Sequence, residues 1–493
     1  MGRLEELSAR ALGREKTWPA LEFEKRWLRW GELDQVAQKV WALLESSGVQ
    51  PGAPVAFVPR NRPSAVATLL ALIAKGHTIR MIYAFQGAAG IARDIARRVP
   101  AAVLAAAEDF SPEVLDALRE QHIPAISLRE MDAELVAGFD CSPTTIDPIG
   151  DEAKIEILTS GTTGPPKPFA LDFELIAGHL DRRFGISVER LDDAPQHPSL
   201  LYFPLANISG LYNVLPAMLG NGPVVLLERF TVAGFHDYVL RHGPQSMALP
   251  PAAIGMIMDA DVPVADLASL RMIAVGSAPL DQALQRSFEA RYGIPILLSY
   301  GATEFAGRVS VMTPDLHAQW GAKKFGSVGR PFDGAELRVV DPQTGALLAP
   351  GHEGLLEVRV LRMGPDWVRT ADIALIDEDG FLYHRGRADS AIIRGGFKLL
   401  PETIERALLE HGAICSAAVI GLPDRRVGEL PAAVIQLKRG AESPSVGELE
   451  LHLRGRLTAP HIPVAWCFVE TLPRTESMKI DRPALRALFK EAT

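Results

Sequence analysis

Short apolar runs alternate with amphipathic helices along the first 130 or so residues, and this alternation does most to limit the possible folds. Leu33, Val36, Val40, Leu43 and Leu44 recur at helical spacing, so 31–48 reads as an amphipathic helix. Pro51 and Gly52 stop it, and Val55-Ala-Phe-Val58 reads as a buried strand. A helix over Pro63 to Lys75 follows. Strands at Val103-Leu-Ala and Ala125 to Leu128 then flank a helix near 112–120. Strand and helix in steady succession predict an α/β fold with largely parallel sheets. The pattern resumes over 195–300, with strand-like runs Pro223 to Leu227 and Met272 to Val275. Leu337 to Val340 and Gly354 to Val360 instead alternate polar and apolar residues. They predict a β-rich subdomain of half-buried antiparallel strands after the α/β core.

At 493 residues the chain exceeds one ordinary core. A boundary is expected near 386–390. The predicted layout is a large N-terminal α/β domain over 1–387, a joint at 388–390 and a small α+β C-terminal domain over 391–493. In the latter, Pro401 to His411 reads as a helix closed by Gly412, and Val446 to Leu457 as a second helix. Ala417 to Ile420, Ala432 to Gln436 and Trp466 to Val469 read as its strands. The formal charge, 51 minus 60 or −9, argues against a broad nucleic-acid footprint. Three scattered cysteines show no metal spacing and fit a reducing compartment. The longest apolar run, Ala65 to Ala74, is too short to span a bilayer, and the start carries no apolar signal region. Cytoplasmic residence is the expectation, and assembly into an oligomer is compatible with it.

The segment Leu158-Thr-Ser-Gly-Thr-Thr-Gly-Pro-Pro-Lys167 carries the strongest chemical signal. Its glycines let backbone N–H groups approach an anion, its hydroxyls add donors and its lysine adds a charge. That is the chemistry of a loop wrapping a polyphosphate. It lacks the Gly-Lys-Ser/Thr element of a Walker-type NTPase, and its prolines oppose an immediate helix. Further on, Gly276-Ser-Ala-Pro-Leu280 follows a strand and leaves room for a flat base. Ser299-Tyr-Gly-Ala-Thr-Glu304 ends another strand with an aromatic face, a hydroxyl and a carboxylate. Thr370-Ala-Asp372, Gly386-Arg-Ala-Asp389, Arg394-Gly-Gly-Phe-Lys398 and Pro473-Arg-Thr-Glu-Ser-Met-Lys479-Ile complete the series.

In this order the motifs resemble the adenylate-forming superfamily of acyl-CoA synthetases, aryl-CoA ligases, luciferases and standalone adenylation domains. The resemblance implies a large N-terminal domain and a small mobile C-terminal lid. It implies that Thr159, Ser160, Gly161, Thr162, Thr163, Gly164 and Lys167 hold the phosphates of ATP. Gly276, Ser277, Ala278, Tyr300 and Gly301 would receive the adenine. Thr303 would meet the α-phosphate, Glu304 would bind Mg²⁺, and Asp372 with Arg387 would hold the ribose. Asp389 would be the hinge, Gly395 and Gly396 would line a CoA tunnel, and Lys479 would bridge the carboxylate and the α-phosphate.

The sequence departs from the family pattern at Ser277, Ala371 and Met478, each standing where glycine is usual. In Pro204-Leu-Ala-Asn-Ile-Ser-Gly210, Ala206 and Asn207 replace a frequent aromatic and histidine. The acyl pocket is expected at Asn207, Ile208, Leu211, Phe305 and Ala306, with Ala252 and Ala278 nearby. Their size suits a small aryl, alicyclic or medium-chain acid.

The resemblance implies an ATP-dependent carboxylate–CoA ligase. An amide-bond synthetase passing the adenylate to an amine is the principal alternative, followed by transfer to a separate carrier protein and by a luciferase-like oxygenase. A non-catalytic nucleotide-binding protein would be expected to lack the lysine or the glutamate, and both Lys479 and Glu304 are present.

Overall fold

The structure, a computed structural model, describes residues 2–140, 153–159, 167–187, 198–220, 222–332, 334–394, 397–475 and 478–490. The chain divides into two compact units, Met1–His242 and Gly243–Thr493.

In the first unit, the largest sheet runs Ala133–Leu135, Ala125–Leu128, Val103–Ala106, Val55–Val58, Ile79–Met81, Lys154–Thr159, Lys167–Asp172. The inner strands pair in parallel, and antiparallel pairing is confined to the two edge strands. Val55–Val58 lies mid-sheet because it is apolar on both faces, and all of it is buried. Helix Pro63–Ala74 is buried from Pro63 to Ile73, as expected of a helix apolar all round, and its proline sits harmlessly in the first turn. Strand Lys154–Thr159 runs up to the hydroxyl-rich segment and Lys167–Asp172 returns beside it, with Thr159 opposite Lys167. A second sheet is ordered Ser199–Leu201, Val224–Leu226, Pro19–Phe23, Arg26–Arg29.

In the second unit, parallel strands Ser246–Leu249, Met272–Val275 and Ile296–Ala302 continue into antiparallel Gly307–Val311 and Arg330–Pro331. An antiparallel meander follows: Ala335–Val340, Glu353–Val360, Val368–Ile376, Leu382–Arg387. It packs its own apolar core, including Val309, Leu356, Val358, Ala374 and Leu382. After the short turn Ala388–Ser390, the remaining chain forms a third sheet. It is built on the hairpin Ile414–Asp424 and Gly428–Leu437, with Ala465–Val469 parallel to the latter. Helices Pro401–Leu409 and Val446–Arg454 cover one face through Ile404, Leu408, Leu449 and Leu453.

The expected strands and helices appear within a few residues of their positions, with two differences in organisation. The break between compact units falls after His242, inside the stretch expected to be one domain over 1–387. The first 242 residues close their own sheets, whereas the 391–493 segment, with its own core, shares a unit with the meander. Gly412 does not close the preceding helix: it ends at Leu409 and is capped by Glu410 in a right-handed conformation. Gly412 is not among the glycines of positive φ, so its conformational freedom is unused there.

Candidate active site

Two β-bulges shape the site in the second unit. The register of Ile296–Ala302 against Gly307–Val311 shifts between Tyr300 and Gly301. A Cβ on Gly301 would lie 2.3 Å from the carbonyl oxygen of Gly307, so only glycine fits that close approach. The shift turns the Tyr300 ring toward the meander, where its hydroxyl donates to Asp372 Oδ2. The second bulge lies between Val368–Ile376 and Leu382–Arg387. Asp372 faces Arg387 and Ile373 faces Gly386, but Ala374 faces His384, which leaves Arg385 as the extra residue.

Asp372 is only 6% exposed. Its Oδ1 accepts from His384 Nε2 at 3.2 Å and from Arg387 Nη1 at 3.3 Å. Burial pushes the Asp372 carboxyl up, but His384, Tyr300 and Arg387 outweigh it and hold the group below the usual aspartate value. Asp372 is therefore ionised near neutral pH, and His384 must carry its proton on Nε2. Burial first and Asp372 second push the Tyr300 phenol up, so it remains a donor. Arg387 also grips Asp389 with two bonds, Nε to Oδ1 at 3.0 Å and Nη2 to Oδ2 at 2.7 Å.

Lys479 reaches this region from the C-terminal segment. Arg474 and Ile480 pair as an antiparallel bridge, Thr475 N donates to the Lys479 carbonyl at 2.8 Å, and Arg474 Nη1 donates to the Met478 carbonyl at 3.3 Å. Burial pushes the Lys479 ammonium down, Arg387 pushes it further, and Glu304 opposes both. Lys479 is nevertheless exposed to solvent rather than sitting in the core. Glu304 is exposed, beside Thr303 in the turn Thr303–Phe305.

Two of the departures from the family pattern have a backbone meaning. Ser277 and Met478 adopt φ of 69° and 64°, the left-handed region where glycine is favoured, and each carries roughly 1 kcal/mol of strain. Ala371 lies in the extended strand Val368–Ile376 without positive φ, so its replacement of glycine is free of that strain. Gly276 stays glycine for another reason: a Cβ there would come 2.7 Å from Ser299 Oγ.

The structure thus gathers Tyr300, Asp372, Arg387 and Asp389 into one hydrogen-bonded group, with Lys479 in the field of Glu304 and Arg387. Ser160, Gly161, Thr162, Thr163, Gly164, Gly395 and Gly396 lie outside the described residues, and Thr159 and Lys167 are described as backbone only. At three of the expected pocket positions the side chains are buried. Phe305 is buried in the meander core with Val309 and Leu356, and Ala306 beside it is 1% exposed. Leu211 is fully buried on the inner side of helix Ile208–Leu219. Their apolar side chains are already used in packing. Asn207 and Ile208 are half-buried at that helix's start, and the Asn207 side chain makes no capping bond. Nearby, a Cβ on Gly210 would lie 2.0 Å from the Pro204 carbonyl oxygen.

His384 is the residue that sequence reading missed. Three positions from Arg387, it would point to the opposite face of a regular strand. Elsewhere in the unit, Cys415 on strand Ile414–Asp424 donates to Asp259 at the end of helix Pro251–Asp259, Sγ to Oδ1 at 3.5 Å. Burial and then Asp259 push its thiol up to about 11.

Residues 8–363 match the family model described as AMP-binding enzyme, and 403–479 match the AMP-binding enzyme C-terminal domain. An indoleacetate–CoA ligase of Aromatoleum aromaticum is 30% identical across 99% of both chains. The ATP-bound MatB from Rhodopseudomonas palustris superposes with TM-score 0.80 at 22% identity, covering 99% of each chain. The amide bond synthetase McbA from Marinactinospora thermotolerans superposes with TM-score 0.78 at 24% identity, covering 99% of this chain and all of that one.

Proposed function

The chain belongs to the AMP-binding enzyme family, the adenylate-forming enzymes, and from that premise we propose that it is an ATP-dependent carboxylate–CoA ligase. A carboxylate oxygen of the acid attacks the α-phosphorus of ATP. Pyrophosphate leaves, and an acyl-adenylate remains. The CoA thiol then attacks the acyl carbonyl, a thioester forms and AMP leaves. The observation that carries this reading is the hydrogen-bonded group of Tyr300, Asp372, Arg387 and Asp389, with Lys479 of the C-terminal segment taken to meet the α-phosphate. An ammonium at that place neutralises charge as the α-phosphorus gains its fifth oxygen.

The roles divide by chemistry. Asp372, ionised and buried, accepts the ribose hydroxyls, with Arg387 beside it. Tyr300 offers its ring to the adenine between Gly276–Ala278 and Gly301. Thr303 donates to the α-phosphate. The hydroxyl-rich segment Thr159 to Gly164, with Lys167, holds the outer phosphates.

Among the described residues no three metal-ligating side chains cluster, but Glu304 is an exposed hard-oxygen donor. Such a site suits Mg²⁺, which is commonly held by one or two carboxylates together with substrate phosphates. When bound, the ion neutralises phosphate charge.

Rotation of the 391–493 lid about Asp389 separates the two half-reactions, and Gly395 with Gly396 then admits the CoA arm. The relative aligned along nearly its whole length is named for indoleacetate, which supports an aryl acid as substrate, held near Asn207 and Ile208. Among the described residues no helix is long and apolar enough to cross a membrane, and Cys415 and Cys467 are free thiols, both consistent with a cytoplasmic enzyme.

The test is pyrophosphate release from ATP and Mg²⁺ over a panel of aryl, alicyclic and medium-chain acids, with and without CoA. One acid class should respond, and CoA should yield its thioester with AMP. Pyrophosphate without thioester would move the acceptor to an amine or a carrier protein. Inorganic phosphate in place of pyrophosphate would refute adenylation.

A further inference from the structure

We propose that His384 is a positioning residue for nucleotide capture, holding the Asp372 carboxylate in the plane that receives the ribose diol. The inference rests on the adenylation reading above. Its basis is the bulge at Arg385, which brings His384 and Arg387 to the same face of strand Leu382–Arg387. Without that extra residue the two could not both meet Asp372 Oδ1.

A carboxylate offers about four lone-pair positions. His384 and Arg387 take two on Oδ1, and Tyr300 takes one on Oδ2. A ribose diol needs one on each oxygen, so one present donor must yield. Arg387 holds Oδ1 by the longest contact, 3.3 Å, and has Asp389 as a second carboxylate partner on two shorter bonds. Arg387 is the donor that leaves. His384 on Oδ1 and Tyr300 on Oδ2 then fix the carboxylate at both ends. The imidazole is itself braced: its side chain is 16% exposed and its ring stacks on Tyr300 with centroids 6.0 Å apart.

The experiment compares the full chain with His384→Leu and His384→Gln. The Gln amide can place a donor near the position of Nε2, and Leu cannot. AMP and 2′,3′-dideoxy-AMP are titrated by calorimetry, and KM for ATP and kcat are measured by pyrophosphate release. The Leu variant should bind AMP roughly tenfold more weakly and raise KM for ATP by a similar factor, with kcat little changed. Gln should restore most of the loss. The dideoxy nucleotide should bind wild type and the Leu variant alike. Unchanged AMP affinity in the Leu variant overturns the inference alone. So does a Leu effect of equal size on the dideoxy nucleotide, or an equal loss in Leu and Gln. Failure of the wild-type protein to bind AMP overturns the adenylation reading and the inference with it.

Discussion

Replacing Asp372 by Asn tests the centre of the site with little change of shape. Arg387 and His384 both meet Oδ1, and Arg387 can only donate, so the amide oxygen must take that place. The amide nitrogen then faces Tyr300, whose hydroxyl can accept as well as donate. The local network survives, and the fold should too. What changes is the receiving end: a ribose diol meets one acceptor in place of two, and no charge. A hydrogen bond to a charged group contributes about 1.5–3 kcal/mol, so AMP should bind about ten- to a hundredfold more weakly. Titrating AMP and 2′,3′-dideoxy-AMP into both proteins closes a cycle between the carboxylate and the hydroxyls. Their coupling should be at least about 1 kcal/mol. The same loss for both nucleotides would show that Asp372 acts on something other than ribose. The substitution also has a signature in acid. The folded Asp372 carboxyl lies below its usual value, so its stabilising contribution is present above the unfolded value and is lost as pH falls through the folded one. The Asn variant should lack that part of the acid-side decline in melting temperature.

Two further outcomes follow from groups in the C-terminal segment. Lys479→Ala should slow adenylate formation about a hundred- to a thousandfold while sparing thioester formation from a preformed adenylate; equal loss of both would remove the assignment. Glu405, on helix Pro401–Leu409, has its carboxyl raised to about 7 by burial first and Glu402 second, against a bond from Val419 N and the charge of Arg482. Its folded form holds more protons than the unfolded chain from about 4.5 up to about 7, so stability falls as pH rises through that window. Glu405→Gln, which keeps an acceptor for Val419 N, should raise the melting temperature at pH 8 and leave it unchanged at pH 4.

The α/β layout was legible because each strand announces its burial in its own residues. Val55–Val58 is apolar at every position and lies mid-sheet, while Leu337 and Gly354 begin runs that alternate and form the meander. Tyr300, Asp372, Arg387, Asp389 and Lys479 were legible as motifs in order, and hydrogen bonds join the first four. Three things lay beyond reach. His384 depends on a bulge, and a bulge depends on register with a partner strand. Phe305 and Leu211 read as pocket-lining by size and place, but whether an apolar side chain faces a ligand or a core is decided by what packs opposite. The reach of the first compact unit to His242 depends on which sheets close on themselves, and local periodicity carries no sign of it.

The thiol of Cys415 turns this structure into its own reporter. Its partner Asp259 lies before the turn at Ala388–Ser390 and Cys415 after it. Any swing of the lid about Asp389 that parts them removes the carboxylate that, after burial, suppresses ionisation, and so relieves part of the suppression. A thiol raised from 9.0 to about 11 presents about a hundredfold less thiolate at a given pH. In a background of Cys141→Ser and Cys467→Ser, the alkylation rate of Cys415 becomes a clock for lid position. It should be slow in the conformation described and faster whenever the second half-reaction holds the lid elsewhere. Catalytic alternation could then be followed by mass spectrometry with no label added to the protein.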